Sequence, residues 1–205
     1  MLALDLKLDF TSYQLSVRLD INEREAIGLY GKSGIGKSTL LKVISGLHKP
    51  ADANICMDDV YWNNTEQHIF LLPQHRSVGM VFQDFALFPN LTVLENLEYA
   101  QQIPASELTH LIEMLGIQDI LKKKPETISG GQKQRVAIGR SIAYNPKVIL
   151  MDEPFAALDD EIKGVIKSFL KQYIQDTDKI AIIASHDKKD LEYFSQRIVT
   201  LSDAE

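Results

Sequence analysis

Residues 31–39 read GKSGIGKST, and they follow the short apolar stretch EAIGLY at residues 25–30. This loop matches the phosphate-binding pattern G-x-x-x-x-G-K-[ST]. Glycine lets the backbone come close to a phosphate and adopt positive φ angles, and a helix that starts here directs the positive end of its dipole at the anion. Apolar residues then recur at helical spacing as far as position 47. The sequence therefore predicts a strand, a phosphate-binding loop and a helix. A glycine turn that only caps a helix is the alternative, and the position of the loop between a buried strand and a helix favours the phosphate-binding loop.

The residue types of this loop suit a nucleoside triphosphate bound with Mg²⁺. The Lys37 ammonium is predicted to contact the β- and γ-phosphates, and the Ser38 hydroxyl is predicted to be a Mg²⁺ ligand. The predicted nucleotide-binding residues of the loop are Gly31, Lys32, Ser33, Gly34, Ile35, Gly36, Lys37, Ser38 and Thr39.

Four polar residues follow strand-like stretches elsewhere in the chain. Asp152 and Glu153 end the run KVILMDE, His186 follows KIAIIAS, and Gln83 follows VGMVF. Ligands of open α/β sheets bind at the carboxyl ends of the strands, so we expect these side chains to surround one phosphate site. Asp152 and Gln83 are predicted to hold Mg²⁺, Glu153 to accept the proton of an attacking water, and Gln83, His186 and Lys37 to complete the catalytic set. Taken singly, these residues also fit an acidic turn, a loop amide and a polar strand end.

The spacing of the apolar residues predicts an α/β fold. LALDLKL and YQLSVRLDI alternate apolar and polar residues, which predicts an N-terminal antiparallel β subdomain. The runs EAIGLY, KVILM, KIAIIA and RIVTL alternate with helical stretches, which predicts a mainly parallel sheet covered by helices on both faces. We predict one domain over residues 1–205, with a helical insertion at about 90–144.

The middle of the chain is predicted in less detail. A turn-rich stretch follows Pro50, and the runs HIFLL and VGMVF after it look like strands. Residues 92–124 have helical spacing, with Ser106 as the predicted N-cap of a helix and Pro125 as a stop. Further helices are predicted at 129–144 and at about 160–175.

The composition excludes several classes of protein. The chain has 205 residues, a net charge of −6 and a pI near 5.4, which argue against broad binding to a nucleic-acid backbone. Its single cysteine, Cys56, cannot form an internal disulfide. No apolar run approaches the roughly 20 residues of a membrane span, and the N-terminus lacks the pattern of a signal peptide. A location inside the cytosol and no nucleic-acid partner are predicted.

A second glycine-rich stretch, ISGGQKQR, occupies residues 128–135. Ser129 and Gln132 fit a capping box, so an ordinary helix start is one explanation. Gly130 and Gly131 would weaken the first turn by up to ~1 kcal/mol each, which favours a place where a phosphate approaches the backbone. A second phosphate-binding helix end, far from the first, implies a partner molecule.

With these motifs in this order, essentially the whole chain resembles the nucleotide-binding subunit of an ABC transporter. The resemblance rests on GKSGIGKST, Gln83, ISGGQKQR, VILMDEP, AALD and His186. It implies ATP and Mg²⁺ as ligands, ATP hydrolysis, and a head-to-tail dimer of two copies. In that dimer, ATP would lie between the phosphate loop of one copy and four residues of the other: Ser129, Gly130, Gly131 and Gln132.

The resemblance implies roles for two further residues. Asp159, in AALD, matches the loop that crosses between the two sites of such a dimer. Tyr13, in TSYQLSV, matches the aromatic residue that stacks on adenine, although it also fits a tyrosine on a strand face.

The stretch RSVGMVFQDFALFPNLTVLENL at residues 76–97 resembles importers of molybdate, sulfate, iron or polyamines, and molybdate importers most closely. By this resemblance, residues near 84–97 contact an integral membrane permease through Phe85, Leu87 and Phe88, which could also be core residues. The chain would then be a peripheral subunit on the cytoplasmic face of the membrane, and its length predicts no C-terminal regulatory domain. An ATPase for another solute, a soluble ABC ATPase and a nucleotide-binding module without hydrolysis are the alternatives.

Overall fold

The computed structural model describes residues 1–99 and 101–202. Within these residues the strands are β1 Leu2–Asp9, β2 Gln14–Ile21, β3 Ala26–Tyr30, β4 Asp52–Met57, β5 Val60–Asn64, β6 Ile69–Phe70, β7 Val78–Val81, β8 Val148–Asp152, β9 Ile180–Ser185 and β10 Arg197–Thr200. The helices are α1 Lys37–Ser45, α2 Val93–Glu98, α3 Ala105–Met114, α4 Gly130–Ala143, α5 Asp160–Asp176 and α6 Lys188–Phe194.

The first sheet is antiparallel, with strand order β2-β1-β4-β5-β6. Strand β1 pairs with β2 on one side and with β4 on the other, and its Leu4 lies opposite Leu19 of β2 and Ile55 of β4. The predicted antiparallel β subdomain is therefore confirmed. The prediction of a turn-rich stretch after Pro50 was wrong, because β4 and β5 occupy it, and HIFLL contributes only the two residues of β6. Long-range pairing with β1 overrides the weak strand preference of the Asp and Asn residues there.

The second sheet is parallel throughout, with strand order β10-β3-β9-β8-β7. Every residue of β8 and β9 is buried, as expected for strands covered on both faces. Because the strands are parallel, their carboxyl ends meet at one edge of the sheet. This edge brings together the ends of β3, β7, β8 and β9, which precede the polar residues that the sequence analysis singled out.

Helices cover both faces of the parallel sheet. Helix α1 lies between the two sheets, and its residues Leu40, Leu41, Val43 and Ile44 pack in one core with residues of β1, β3 and β9. A second core on the other face contains residues of α2, α3, α4, α5 and α6. The predicted parallel sheet covered by helices is confirmed. None of the helices described is long and apolar enough to cross a membrane.

The segment predicted as helical over 92–124 is divided into shorter elements. Helix α2 begins after Thr92, which forms a capping box with Glu95, and a 3₁₀ turn covers Gln118–Ile120. The prediction of Ser106 as an N-cap was wrong, because α3 already begins at Ala105. Pro104 precedes it, and the Ile103 N–H donates to the Ala143 carbonyl, so the start of α3 is set by a contact with the end of α4.

Arg76 joins the antiparallel sheet to α1. Its side chain is fully buried, and burial lowers the pKa of its guanidinium to about 10. The guanidinium donates hydrogen bonds to the carbonyl oxygens of Val43, Ile44, Trp62 and Leu71 and to Asn63 Oδ1. Because two of these carbonyls end α1, Arg76 caps the helix whose other end forms the phosphate loop.

Candidate active site

The phosphate loop connects β3 to the N-terminus of α1. Gly34 and Gly36 have φ angles of 83° and 97°, in the left-handed region that favours glycine. The Lys37 ammonium donates to the carbonyl oxygens of Gly31 and Lys32 at 2.7 and 3.1 Å. Its side chain therefore lies along the concave side of the loop, which is the position needed to contact an anion held there.

A cleft of about 300 Å³ lies over this loop. It is lined by residues from the phosphate loop and from the ends of β7, β8 and β9: Ser33, Gly34, Gly36, Lys37, Ser38, Thr39, Gln83, Asp152, Glu153, Ala156 and His186. The structure thus brings together all four polar residues that the sequence analysis assigned to one phosphate site. Such a cavity at the carboxyl edge of a parallel sheet is the usual ligand position in this architecture.

Asp152 ends β8 and is only 4% exposed. Burial raises the pKa of its carboxyl, because a charge is costly away from water, while the nearby Ser38 hydroxyl and Lys37 ammonium act in the opposite direction. An oxygen of this carboxylate, the Ser38 hydroxyl and the Gln83 amide are hard oxygen donors on one side of the cleft. This donor set fits Mg²⁺.

The Glu153 carboxylate is fixed by the end of β9. Its Oε1 accepts a hydrogen bond from the His186 backbone N–H at 2.9 Å, and its Oε2 accepts one from the Ser185 hydroxyl at 3.1 Å. The His186 Nδ1 lies 3.0 Å from Oε1. Glu153 has a φ angle of 49°, which is uncommon for a residue with a side chain and turns it sharply out of β8. The carboxylate is therefore held over the cleft.

The helix after His186 is anchored to α5. Asp187 caps α6 by accepting from the Lys189 and Asp190 backbone N–H groups. Asp190 is 4% exposed and pairs with the ammonium groups of Lys163 and Lys167 on α5. These contacts fix the loop that carries His186.

Several predicted site residues lie outside this cleft. Tyr13 is half-buried beside the phosphate loop, and its hydroxyl donates to the Gly34 carbonyl oxygen at 2.8 Å. Ile35 is 6% exposed and packs in the core, so its side chain does not face the cleft. Asp159 is exposed and caps α5, where its carboxylate accepts from the Ile162 N–H.

The second glycine-rich stretch forms the exposed start of α4. The predicted capping box is present, because Ser129 accepts from the Gln132 N–H and Gln132 accepts from the Ser129 N–H. A methyl group on Gly131 would lie 2.9 Å from the Ala157 carbonyl oxygen, so a contact within the chain accounts for this glycine. A methyl group on Gly130 would meet nothing within 4 Å. None of residues 129–132 lines the cleft of its own chain.

Gln83 begins a loop with an unusual backbone. It is exposed at the cleft, and the next residues include Phe85 and Ala86, whose φ angles are 66° and 45°. The Arg140 guanidinium of α4 donates to the Phe85 carbonyl oxygen at 3.3 Å and lies 5.2 Å from the Phe88 ring centroid. The loop between the cleft and α2 is therefore attached to the helix that begins at the second glycine-rich stretch.

A family model described as ABC transporter matches residues 15–156 of this chain. The chain belongs to the ABC transporter family. The predicted resemblance is thereby confirmed.

Relatives of this ABC transporter chain include proteins named for molybdenum import. It is 35% identical to the molybdenum import ATP-binding protein ModC of Pseudomonas fluorescens over 203 residues, which are 97% of this chain and 56% of that protein. It is 36% identical to the protein of the same name from Mannheimia succiniciproducens, over 99% of this chain and 58% of that protein. An uncharacterized ABC transporter ATP-binding protein of Bacillus subtilis, YurJ, is 36% identical over 94% of this chain and 53% of its own. The chain spans about half the length of the curated relatives it matches.

Solved ABC cassettes have the same fold. A dimeric ATP-binding cassette in a post-hydrolysis state, bound to ADP and Pi, superposes with a TM-score of 0.81 at 31% identity and covers 99% of this chain and 95% of that chain. A second dimeric bacterial ABC transporter cassette gives a TM-score of 0.80 at 30% identity, over 98% and 94%. The predicted phosphate-loop α/β fold with its antiparallel subdomain is therefore confirmed.

Two residues of this ABC transporter site were missed by the sequence analysis. Ser185 holds the Glu153 carboxylate, and Ala156 lines the cleft. Ser185 stands directly before His186 at the end of an apolar strand, so its position at the sheet edge was a usable signal. Ala156 carries no polar group, and nothing in the sequence marked it.

Proposed function

We propose that this chain binds ATP with Mg²⁺ and hydrolyses it, as the subunit that powers an ABC importer for an inorganic oxyanion such as molybdate. The observation that carries the proposal is the position of the Glu153 carboxylate, held over the phosphate loop by the Ser185 hydroxyl and the His186 N–H. A proton acceptor at this place would have no use in a module that only binds nucleotide.

The phosphate loop and the end of β8 hold the substrate in this proposal. Lys37 contacts the β- and γ-phosphates, and loop N–H groups surround them. Ser38, Gln83 and Asp152 hold Mg²⁺, which supplies charge neutralisation at the phosphate oxygens when bound. The donor set supports this assignment, since Mg²⁺ prefers hard oxygen ligands. Tyr13 provides the surface for the adenine base.

Hydrolysis follows from the remaining residues. A water attacks the γ-phosphorus, the bond to the oxygen of ADP breaks, and Glu153 accepts the proton that the water loses. His186 lies next to Glu153, and we assign it a hydrogen bond to the γ-phosphate. The raised pKa of Asp152 supports a role next to a cation, because a positive charge relieves the cost of burying that carboxylate.

One partner in this proposal is another copy of the same chain. The start of α4 is exposed and lies outside the cleft of its own chain, and the space next to Gly130 is open. Ser129 and Gly130 could therefore approach the phosphate bound to a second copy, with Asp159 in the loop that crosses between the sites. Both solved cassettes described above are dimeric, which supports this arrangement.

The other partner is an integral membrane permease, contacted near residues 84–97, with this chain on the cytoplasmic face of the membrane. Phe85 and Leu87 are half-buried and pack against the core, whereas Phe88 lies against Tyr99, with ring centroids 4.5 Å apart and ring planes tilted by 45°. Tyr99 is 66% exposed, so this aromatic pair offers apolar surface next to the loop. Exposed apolar surface of this kind suits contact with a short helix of the permease.

Transport measurements test the proposed solute. The chain should be reconstituted in vesicles with its cognate permease and binding protein, and uptake of molybdate and tungstate should be measured with and without ATP. We expect ATP-dependent uptake of both oxyanions, and no uptake with Glu153→Gln. Uptake of sulfate, iron or a polyamine instead would overturn the oxyanion assignment but not the ATPase. Absence of ATP hydrolysis by the wild-type complex would overturn the proposed function itself.

A further inference from the structure

Phe10 lies at the tip of the hairpin between β1 and β2, next to the phosphate loop. The hairpin turn is closed by a hydrogen bond from the Phe10 N–H to the Tyr13 carbonyl oxygen at 2.9 Å. The rings of Phe10 and Tyr13 are stacked, with centroids 4.7 Å apart and an angle of 21° between their planes. This is a favourable offset arrangement of two aromatic rings. One face of Tyr13 is therefore covered by Phe10.

The same phenylalanine also touches the phosphate loop. A methyl group on Gly36 would lie 2.6 Å from Phe10 Cζ, so the edge of the ring fills the space that a side chain at position 36 would need. Tyr13 reaches the loop separately, through the hydrogen bond from its hydroxyl to the Gly34 carbonyl oxygen at 2.8 Å. The hairpin tip is thus attached to the phosphate loop at two points, Gly34 and Gly36.

We propose that Phe10 is a positioning residue of the nucleotide site, which holds the Tyr13 ring in place as the surface for the adenine base. This inference rests on the proposed function, because it needs ATP in the cleft. The match to the family model begins at residue 15, so neither Phe10 nor Tyr13 lies in the matched region.

The physical reason is preorganisation. A tyrosine at the tip of a four-residue hairpin would sample several rotamers, and a base that stacks on it would have to immobilise the ring. Phe10 covers one face of the ring and Gly34 accepts a hydrogen bond from its hydroxyl, so a base that stacks on the other face would not have to immobilise the ring. Stacking with a base is tolerant of its identity, since every base has a π face. Phe10 should therefore affect the affinity for the base portion of the nucleotide and leave phosphate binding unchanged.

The test compares ATP with inorganic triphosphate, which lacks the base and the sugar. Dissociation constants for both should be measured by calorimetry on the whole chain, with Mg²⁺, for Phe10→Leu and for Tyr13→Leu. Leucine keeps an apolar group against Gly36 but removes the ring stack, whereas a tyrosine at position 10 would push its hydroxyl into the loop. Phe10→Met is a second variant of the same kind, and Phe169→Leu, on α5, removes a half-buried ring outside the site as a matched control.

We expect Phe10→Leu and Phe10→Met to weaken ATP binding about fivefold, with triphosphate binding changed by less than about twofold. In a Tyr13→Leu background, Phe10→Leu should have no further effect on ATP, because it acts through Tyr13. Equal losses of affinity for ATP and triphosphate would mean that Phe10 only shapes the phosphate loop. Full additivity of the effects of Phe10→Leu and Tyr13→Leu on ATP affinity would mean that Phe10 acts independently of Tyr13. Either result would overturn the inference. A wild-type chain that binds ATP no more tightly than triphosphate would also overturn the inference. A wild-type chain that binds neither ligand would overturn the proposed function.

Discussion

The Glu153 carboxylate accepts a hydrogen bond from the His186 backbone N–H at 2.9 Å, and the His186 Nδ1 lies 3.0 Å from the same oxygen. Glu153 follows β8 and His186 follows β9, two neighbouring parallel strands. The proton acceptor of the proposed reaction is therefore held in place by the next strand of the sheet. Both residues line the cleft over the phosphate loop.

Replacing Glu153 by glutamine should stop hydrolysis without stopping binding. The amide keeps the size of the side chain but cannot accept a proton from water, so we expect turnover to fall by ~10² or more while the affinity for ATP is retained. Steady-state hydrolysis and calorimetric ATP binding measure the two effects. Lys37→Ala is the contrasting variant, because it removes a phosphate contact and should weaken binding itself. Hydrolysis by Glu153→Gln within threefold of wild type would remove Glu153 from the catalytic role.

Ser185→Ala should lower turnover while leaving the KM for ATP unchanged. The Ser185 hydroxyl donates to Glu153 Oε2 at 3.1 Å and does not line the cleft, so its loss frees the carboxylate without touching the substrate. A hydrogen bond to a charged group contributes about 1.5–3 kcal/mol to stability, so we expect turnover to fall about tenfold or more. Ser168→Ala, an exposed serine on α5, is the matched control. An unchanged kcat for Ser185→Ala would mean that His186 alone positions Glu153.

Asp152→Asn should stabilise the nucleotide-free protein. Because the pKa of Asp152 is raised by burial, the folded chain keeps this proton at a pH where the unfolded chain has lost it. The free energy of unfolding therefore falls as the pH rises through the window between the ordinary and the raised pKa, and the loss persists at neutral pH. Removing the charge should raise the melting temperature at pH 7.5 by about 2 °C or more, and this gain should shrink as the pH is lowered.

The same variant should lose the stabilisation that Mg²⁺ and ATP give to the wild type, since Asp152 is a proposed ligand. Asp119→Asn, at an exposed position, is the control and should change neither measurement. A lower melting temperature for nucleotide-free Asp152→Asn would contradict this account.

Two cysteines should form a disulfide between copies of the chain in the presence of ATP. Ser33, in the phosphate loop, and Ser129, at the start of α4, are both exposed. Cys56→Ser removes the native thiol, Ser33→Cys and Ser129→Cys introduce the pair, and Glu153→Gln slows hydrolysis. An oxidant should then give a covalent dimer on a non-reducing gel, strongly with ATP and weakly with ADP. The two cysteines on separate chains should give a heterodimer, whereas a disulfide within one chain, or one indifferent to ATP, would exclude the head-to-tail arrangement.

Arg76→Met should destabilise the chain strongly. The variant fills a similar volume but leaves the carbonyl oxygens of Ile44 and Leu71 without their donor, and each buried acceptor without a partner costs about 1–3 kcal/mol. We expect a loss of about 3 kcal/mol in the free energy of unfolding by urea. Arg18→Met, whose side chain is 88% exposed, should change it by less than about 0.5 kcal/mol. Equal stability of the two variants would show that the Arg76 network contributes little.

Local patterns predicted the parts of the fold that depend on neighbours in sequence. The capping box of Ser129 and Gln132 spans three positions, so it was readable directly and is present. The N-cap prediction at Ser106 failed for the opposite reason, since α3 starts where the Ile103 N–H meets the Ala143 carbonyl oxygen, which is distant in the chain. Strands β4 and β5 were also missed, because the pairing of β4 with β1 and of β5 with β4, and the hydrogen bond from Arg76 to the Asn63 side chain, outweigh the turn preference of their residues.

The sequence alone determined the phosphate loop, the parallel sheet and the place where Gln83, Asp152, Glu153 and His186 converge, because apolar strands followed by polar residues imply one sheet edge. Only the tertiary structure decided how that site is held: by Ser185 on Glu153 over 32 positions, by Phe10 against Gly36, and by Arg76 at the end of α1. These contacts join residues that share no periodic pattern. They exist because packing brings separate elements together, and a buried polar group then requires a partner wherever the fold supplies one.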